Sequence, residues 1–136
     1  MTVMLDADTC IDFMRGRFPT VIHKMQSLVP DEILIPAIVK AELLLGAHKG
    51  NNPERFLQIT KKFLAPFRII SFDDAAAECY AKIRSDLEQR GMIIGANELL
   101  IAATALSLKA TLVTRNTREF SRVNGLAIET WAELHN

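Results

Sequence analysis

The stretch from Asn97 to Thr114 reads NELLIAATALSLKATLVT. Its first part, to Leu108, is strongly apolar and long enough for a helix, and Gly95 precedes it. After Lys109 and Ala110 the short apolar run Thr111–Thr114 predicts a strand. A helix feeding a short apolar strand is half of a βαβ unit, so the remaining chain is read for the same alternation.

It is there on both sides. Thr2–Asp6 (TVMLD) predicts the first strand, and Cys10–Met14 continues with helical spacing towards Gly16. Pro19 opens a helix through Leu28, with Val21, Ile22, Met25 and Leu28 apolar. Glu32–Ile35 (EILI) predicts the second strand, and Pro36 begins a helix to about His48. Gly50-Asn51-Asn52-Pro53 breaks the chain before a helix to Leu64. Arg68–Phe72 (RIISF) predicts a third strand. Ser71 followed by Asp74 marks the next helix start, and Gly91 its end. Leu126–Glu129 predicts a fifth strand after Thr111–Thr114. No internal repeat or long linker divides the chain, which reads as a single domain over 1–136. The expected class is α/β, a parallel sheet of four to five strands flanked by helices. Ligands of such sheets bind outside the carboxyl ends of the strands, where Asp6 and Asn116 fall.

Composition removes several functions. At 136 residues, 49% hydrophobic and 24% charged, the chain is of globular type and needs no staples. No run approaches the ~18 apolar residues of a membrane span, and no signal peptide is expected. Cys10 and Cys79 are too few for a disulfide scaffold, so a cytoplasmic, reduced protein fits. Sixteen basic and sixteen acidic residues disfavour a general nucleic-acid coat, leaving room for a local basic patch beside an acidic site. Gly-rich phosphate loops are absent, and His23, His48 and His135 have no metal-ligand spacing with the cysteines. Asp6, Asp8 and Asp12 fail as a calcium loop, since Ile11 and Arg17 stand where Gly and Glu are needed.

Three acids sit against apolar surroundings. Glu42 has Ile38, Ala41 and Leu45 around it; Glu98 lies one turn ahead of Ile101, Ala102 and Ala105; Asp6 follows Val3-Met4-Leu5. Each alone has a plain explanation: a helix-edge Glu reaching solvent, an acid in a helix's first turn, a polar strand end. Together, on three elements, they would repel if they converged, and a divalent cation would resolve that. Carboxylate oxygens suit Mg²⁺ or Mn²⁺, which favour phosphate substrates. Arg115, Arg118 and Arg122 offer a positive strip for a polyanion beside Asn116, unless that segment is merely a solvated loop.

The ordered segments Met4-Leu5-Asp6, AELLLGA (41–47), NELLIAA (97–103) and TLVTRNTREF (111–120) closely resemble PIN-domain ribonucleases of the VapC type, the toxin half of bacterial toxin–antitoxin pairs. The resemblance spans nearly the whole chain. It implies a PIN fold, a homodimer, Mg²⁺- or Mn²⁺-dependent cleavage of RNA such as tRNA, and neutralisation by a VapB-type antitoxin. By motif position Asp6 and Glu98 would hold metal, Glu42 and Asn116 would complete the catalytic set, and Asp8, Thr114 and Glu119 would be accessory. Arg115 and Arg118 would contact RNA. The family's third acid is normally Asp, so Glu98 moves its carboxylate outward by about 1.5 Å and is expected to weaken activity. Asp8 stands where the family usually has Asn.

Without a His pair to drive 2′-hydroxyl attack, the expected products carry 5′-phosphate and 3′-hydroxyl ends. Two other functions compete: an attenuated PIN domain that binds antitoxin or RNA only, and a small phosphatase with Asp6 as nucleophile. Leu43, Leu44, Phe56, Leu57, Phe63 and Phe67 exceed what one thin helical layer needs and are expected to supply partner surface.

Overall fold

The computed structural model describes residues 1–132; His135 lies outside them. Five strands form one all-parallel sheet: β1 (Val3–Leu5), β2 (Ile33–Pro36), β3 (Arg68–Ile70), β4 (Thr111–Val113) and β5 (Ile128–Glu129). Their order is β3-β2-β1-β4-β5. Val3 faces Ile33 on one side and Thr111 on the other, so β1 is central. Val3, Met4 and Leu5 are wholly inaccessible to water. Helices cover both faces of such a sheet, which is why its inner strands read as continuous apolar runs instead of alternating ones.

Among the described residues, seven helices connect the strands: α1 (Ala7–Met14), α2 (Pro19–Ser27), α3 (Ala37–Lys49), α4 (Pro53–Leu64), α5 (Asp74–Gln89), α6 (Ala96–Leu108) and α7 (Thr117–Phe120). The chain leaves β1 towards β2 and β3, then crosses back through α5 and α6 to β4 on the other side of β1. The crevice between the ends of β1 and β4 is therefore the topological switch point, where α/β sheets bind ligands. Asp6 and Thr114 are the residues that leave those two strands.

Local chemistry sets most boundaries. Pro19 and Pro53 occupy first-turn positions, where a missing N–H costs nothing. The Asn52 side chain accepts from Arg55 N at 3.3 Å. The cap of α5 is Asp73, which accepts from Ala76 N at 2.9 Å, two residues beyond the Ser71 that the Ser71…Asp74 pattern suggested. Two elements were not legible from the residues. A 3-10 turn spans Pro30–Glu32, and the polar segment after β4 coils into α7, anchored by fully buried Phe120.

The surplus of apolar residues on α3 and α4 divides. Phe63 stacks between Phe13 and Phe67, with ring centroids 5.8 and 5.4 Å away, so Phe63 and Phe67 are satisfied within the chain. Leu43 is buried as well. Phe56 and Ile59 remain exposed and border a groove of about 440 Å³ between α1, α3 and α4 that ends at Glu42. No helix among the described residues is long and apolar enough to cross a membrane.

Candidate active site

Asp6 is held from both sides. It ends β1 and caps α1, its Oδ1 accepting from Thr9 N at 3.0 Å. Its Oδ2 accepts from the Thr114 hydroxyl at 2.5 Å. Thr9 Oγ1 donates to Val113 O at 3.2 Å, tying the same helix start to β4. Burial pushes the Asp6 carboxyl above the usual aspartate range; the Thr114 and Thr9 bonds oppose that, and Asp8 adds to it. A carboxylate so fixed loses no rotamer freedom when it takes a ligand.

Glu42 approaches from α3. The buried face of that helix is Val39, Leu43 and Ala47, not the Ile38, Ala41 and Leu45 set inferred from spacing; Leu45 is 57% exposed. Because α3 is apolar almost all round, periodicity could not choose its inner face. Glu42 is nevertheless half-buried, and its Oε1 is covered with no hydrogen-bond partner. Burial raises its pKa first, and Glu98, Asp6 and Asp8 raise it further by repulsion, while the Asn97 amide lowers it in part. Acids from β1, α1, α3 and α6 thus face one another across the switch point.

They do not close into a cage. No three of them, among the described residues, stand close enough to grip one ion. The expected convergence is corrected to that extent, and Glu98 supplies a reason. It is the third residue of α6 after the Gly95 cap, where an acid can fold back over the helix start. Its Oε2 lies against the place where a Cβ on Gly95 would stand. Glycine makes room for the longer acid in that folded-back pose.

On the β4 side, Thr114 Oγ1 also accepts from Asn116 N at 2.9 Å, and Asn116 Nδ2 donates to Glu119 Oε2 at 2.9 Å. Thr114, Asn116 and Glu119 therefore form one hydrogen-bonded chain that starts at Asp6. The expected basic strip is broken up. Arg115 Nε donates to Asp12 Oδ2 at 2.8 Å, with its Nη2 3.9 Å from Asp8. Arg122 donates to Ile93 O at 3.0 Å. Arg118 is exposed, Arg115 is exposed despite its ion pair, and Arg122 is partly buried. Sequence reasoning missed Asp12, Asn97 and Thr9. Asp12 carried a usable signal: it follows Thr9 by three residues on the inner face of α1, where an acid demands a cation.

A parallel α/β domain with acids gathered at the switch point of its sheet belongs to the class built to hold a hard cation or a phosphate. The chain belongs to the PIN domain family, whose pattern matches residues 3–126, and within it to the VapC ribonucleases. Ribonuclease VapC2 of Rickettsia felis is 36% identical over 132 residues, covering 96% of this chain and 98% of that protein. The tRNA(fMet)-specific endonuclease VapC of Shigella flexneri is 34% identical, covering 95% and 97%. The crystal structure of VapBC2 from Rickettsia felis, bound to a DNA fragment from its promoter, contains a similar chain with a TM-score of 0.89 at 35% identity. It covers 96% of this chain and 99% of that one. The sheet of four to five strands expected from the sequence has five, in the PIN arrangement.

Proposed function

We propose that this chain is a Mg²⁺- or Mn²⁺-dependent endoribonuclease toxin that hydrolyses phosphodiester bonds of tRNA in the cytoplasm, forms a homodimer, and is silenced by a VapB-type antitoxin. The observation that carries the metal reading is Glu42 Oε1, a covered carboxylate oxygen with no hydrogen-bond partner, beside the raised carboxyl of Asp6. A hard divalent cation would relieve that uncompensated negative charge. Asp6 and Glu98 would hold it, and such an ion lowers the pKa of bound water and stabilises charge on phosphoryl oxygen. Glu42, with one covered oxygen free of hydrogen bonds, is suited to accept a proton from water. Thr114 keeps Asp6 oriented, and Asn116, fixed by Glu119, lines the phosphate side. Arg118 contributes positive charge at the rim.

The tRNA substrate is supported by the name of the Shigella flexneri relative, and the antitoxin by the Rickettsia felis VapBC2 complex. The groove bordered by Phe56 and Ile59 offers an apolar seat that leads to Glu42, suited to a partner segment that blocks the cleft.

Glu98 folded back over Gly95 favours one second reading, a PIN domain with weakened catalysis that chiefly binds antitoxin or RNA. One experiment decides between them. Total bacterial RNA is incubated with Mg²⁺ or Mn²⁺ and with either this chain or Glu98→Asp. The nuclease reading expects discrete tRNA fragments with 5′-phosphate ends, and more of them with Glu98→Asp, up to ~10²-fold for a ~1 Å correction in position. No cleavage by either chain would leave only the binding reading.

A further inference from the structure

Among the described residues Asp12 is the most enclosed charge, with a side chain 0% exposed, and the proposed chemistry has no use for it. It lies on α1, one turn beyond Thr9, and two arginines approach it. Arg115 donates through Nε at 2.8 Å and Nη2 at 3.5 Å, and Arg17 Nη1 lies 3.7 Å away. Arg115 is the close partner, and its place in the chain matters. It stands between Thr114, whose hydroxyl holds Asp6, and Asn116, which is bonded to Glu119. Two consecutive peptide units thus carry three attachments. Thr114 bonds Asp6 and Asn116 bonds Glu119, while Arg115 reaches to α1 to grip Asp12.

We propose that Asp12 and Arg115 form a positioning latch, an ion pair that holds the Thr114–Asn116 turn against α1 and so keeps the Thr114 hydroxyl on Asp6. This rests on the nuclease reading for its effect on catalysis, but the latch itself does not. The guanidinium fork fixes direction as well as charge, which a lysine ammonium does not. A buried acid that loses such a partner is left uncompensated, so the turn must move or the acid must find water. Contact with two carboxylates, Asp12 and Asp8, also cancels the positive charge that Arg115 would otherwise present to a polyanion. Asp12 is inaccessible to RNA, so any catalytic effect of changing it is transmitted through position.

The test uses the full chain as Asp12→Asn, Arg115→Met, Arg115→Lys and the double Asp12→Asn/Arg115→Met. Amide hydrogen exchange is followed without metal or RNA, and steady-state RNA cleavage with Mn²⁺. The latch expects exchange at Asn116 N–H to quicken about 10-fold in each single variant, since that amide depends on the Thr114 hydroxyl. It expects kcat to fall about 10- to 100-fold with KM unchanged, Arg115→Lys to rescue little, and the double variant to be no worse than the worse single one. Unchanged exchange and kcat in Asp12→Asn would overturn the proposal. So would an Arg115→Met effect confined to KM, rescued by Arg115→Lys and weakened by salt, which would make Arg115 an RNA contact. If Asp12→Asn does not fold, the two Arg115 variants carry the same comparison, because Arg115 is 36% exposed. Absence of cleavage by the parent chain would sink the nuclease reading alone, leaving the exchange result to judge the latch.

Discussion

Glu42→Gln should make the metal-free protein more stable while impairing its chemistry. Glu42 has a covered oxygen without a partner, and Glu98, Asp6 and Asp8 all repel its charge. An unsatisfied buried polar group costs about 1–3 kcal/mol, and half-burial puts Glu42 at the lower end. Glutamine has the same shape, carries no charge and offers N–H donors to the neighbouring acids. The expected gain is about 1 kcal/mol, a rise in Tm of about 3–5 °C for a domain of this size. The pH dependence follows from linkage. The folded pKa of Glu42 is raised, so the folded state holds its proton more tightly than the unfolded chain does. Stability from this group is present below the ordinary glutamate value of 4.5 and is lost as pH rises through the higher folded value. The advantage of Gln is therefore largest at high pH, shrinks as pH falls towards 4.5 and vanishes below it. Saturating Mn²⁺ should reverse the order, because an ion at a hundredfold excess over Kd stabilises the parent by about 2.7 kcal/mol and the variant by less. Thermal melts in chelator and in Mn²⁺, at pH 7.5 and pH 4.5, read all four conditions. A variant less stable than the parent in chelator at pH 7.5 would refute the reasoning, because the Asn97 amide would then outweigh burial and repulsion at Glu42.

Two further expectations concern the groups around it. Thr114→Val removes the hydroxyl that bonds Asp6 and serves Asn116 N–H, at a cost of about 1.5–3 kcal/mol, as for a hydrogen bond to a charged group. It should also raise the Asp6 pKa further, which NMR titration of the Asp6 carboxyl would detect; an unmoved titration would show that the hydroxyl does not stabilise the charged form. Gly95→Ala should evict the Glu98 carboxylate from the helix start, since a Cβ would overlap it, while the φ of −59° leaves the backbone unstrained. A loss of about 1 kcal/mol in metal-free stability, typical of alanine at a cap, should accompany tighter Mn²⁺ binding by calorimetry. Unchanged or weaker binding would mean that the folded-back pose does not compete with the site.

The strands and their alternation with helices were determined by the amino-acid sequence, which also pointed to an address for the proposed site. Each rests on a local rule: a strand buried on both faces is an unbroken apolar run, a proline can open a helix, and a parallel sheet gathers polar groups at its carboxyl edge. The motif positions likewise led to the family before any coordinates. Three things needed the tertiary structure. The inner face of α3 was decided by packing, because a helix apolar on every side carries no periodic signal, and Ile38, Ala41 and Leu45 gave way to Val39, Leu43 and Ala47. The pose of Glu98 was decided by the empty space over Gly95, which spacing along the chain does not describe. Partners more than a hundred residues apart were decided by strand order. Only when β4 lies beside β1 does Thr114 meet Asp6 and Arg115 meet Asp12, turning an arginine that reads as a contact for RNA into a buried acid's counter-ion. Local sequence sets torsions and faces, whereas the pairing of distant charges depends on which strands become neighbours.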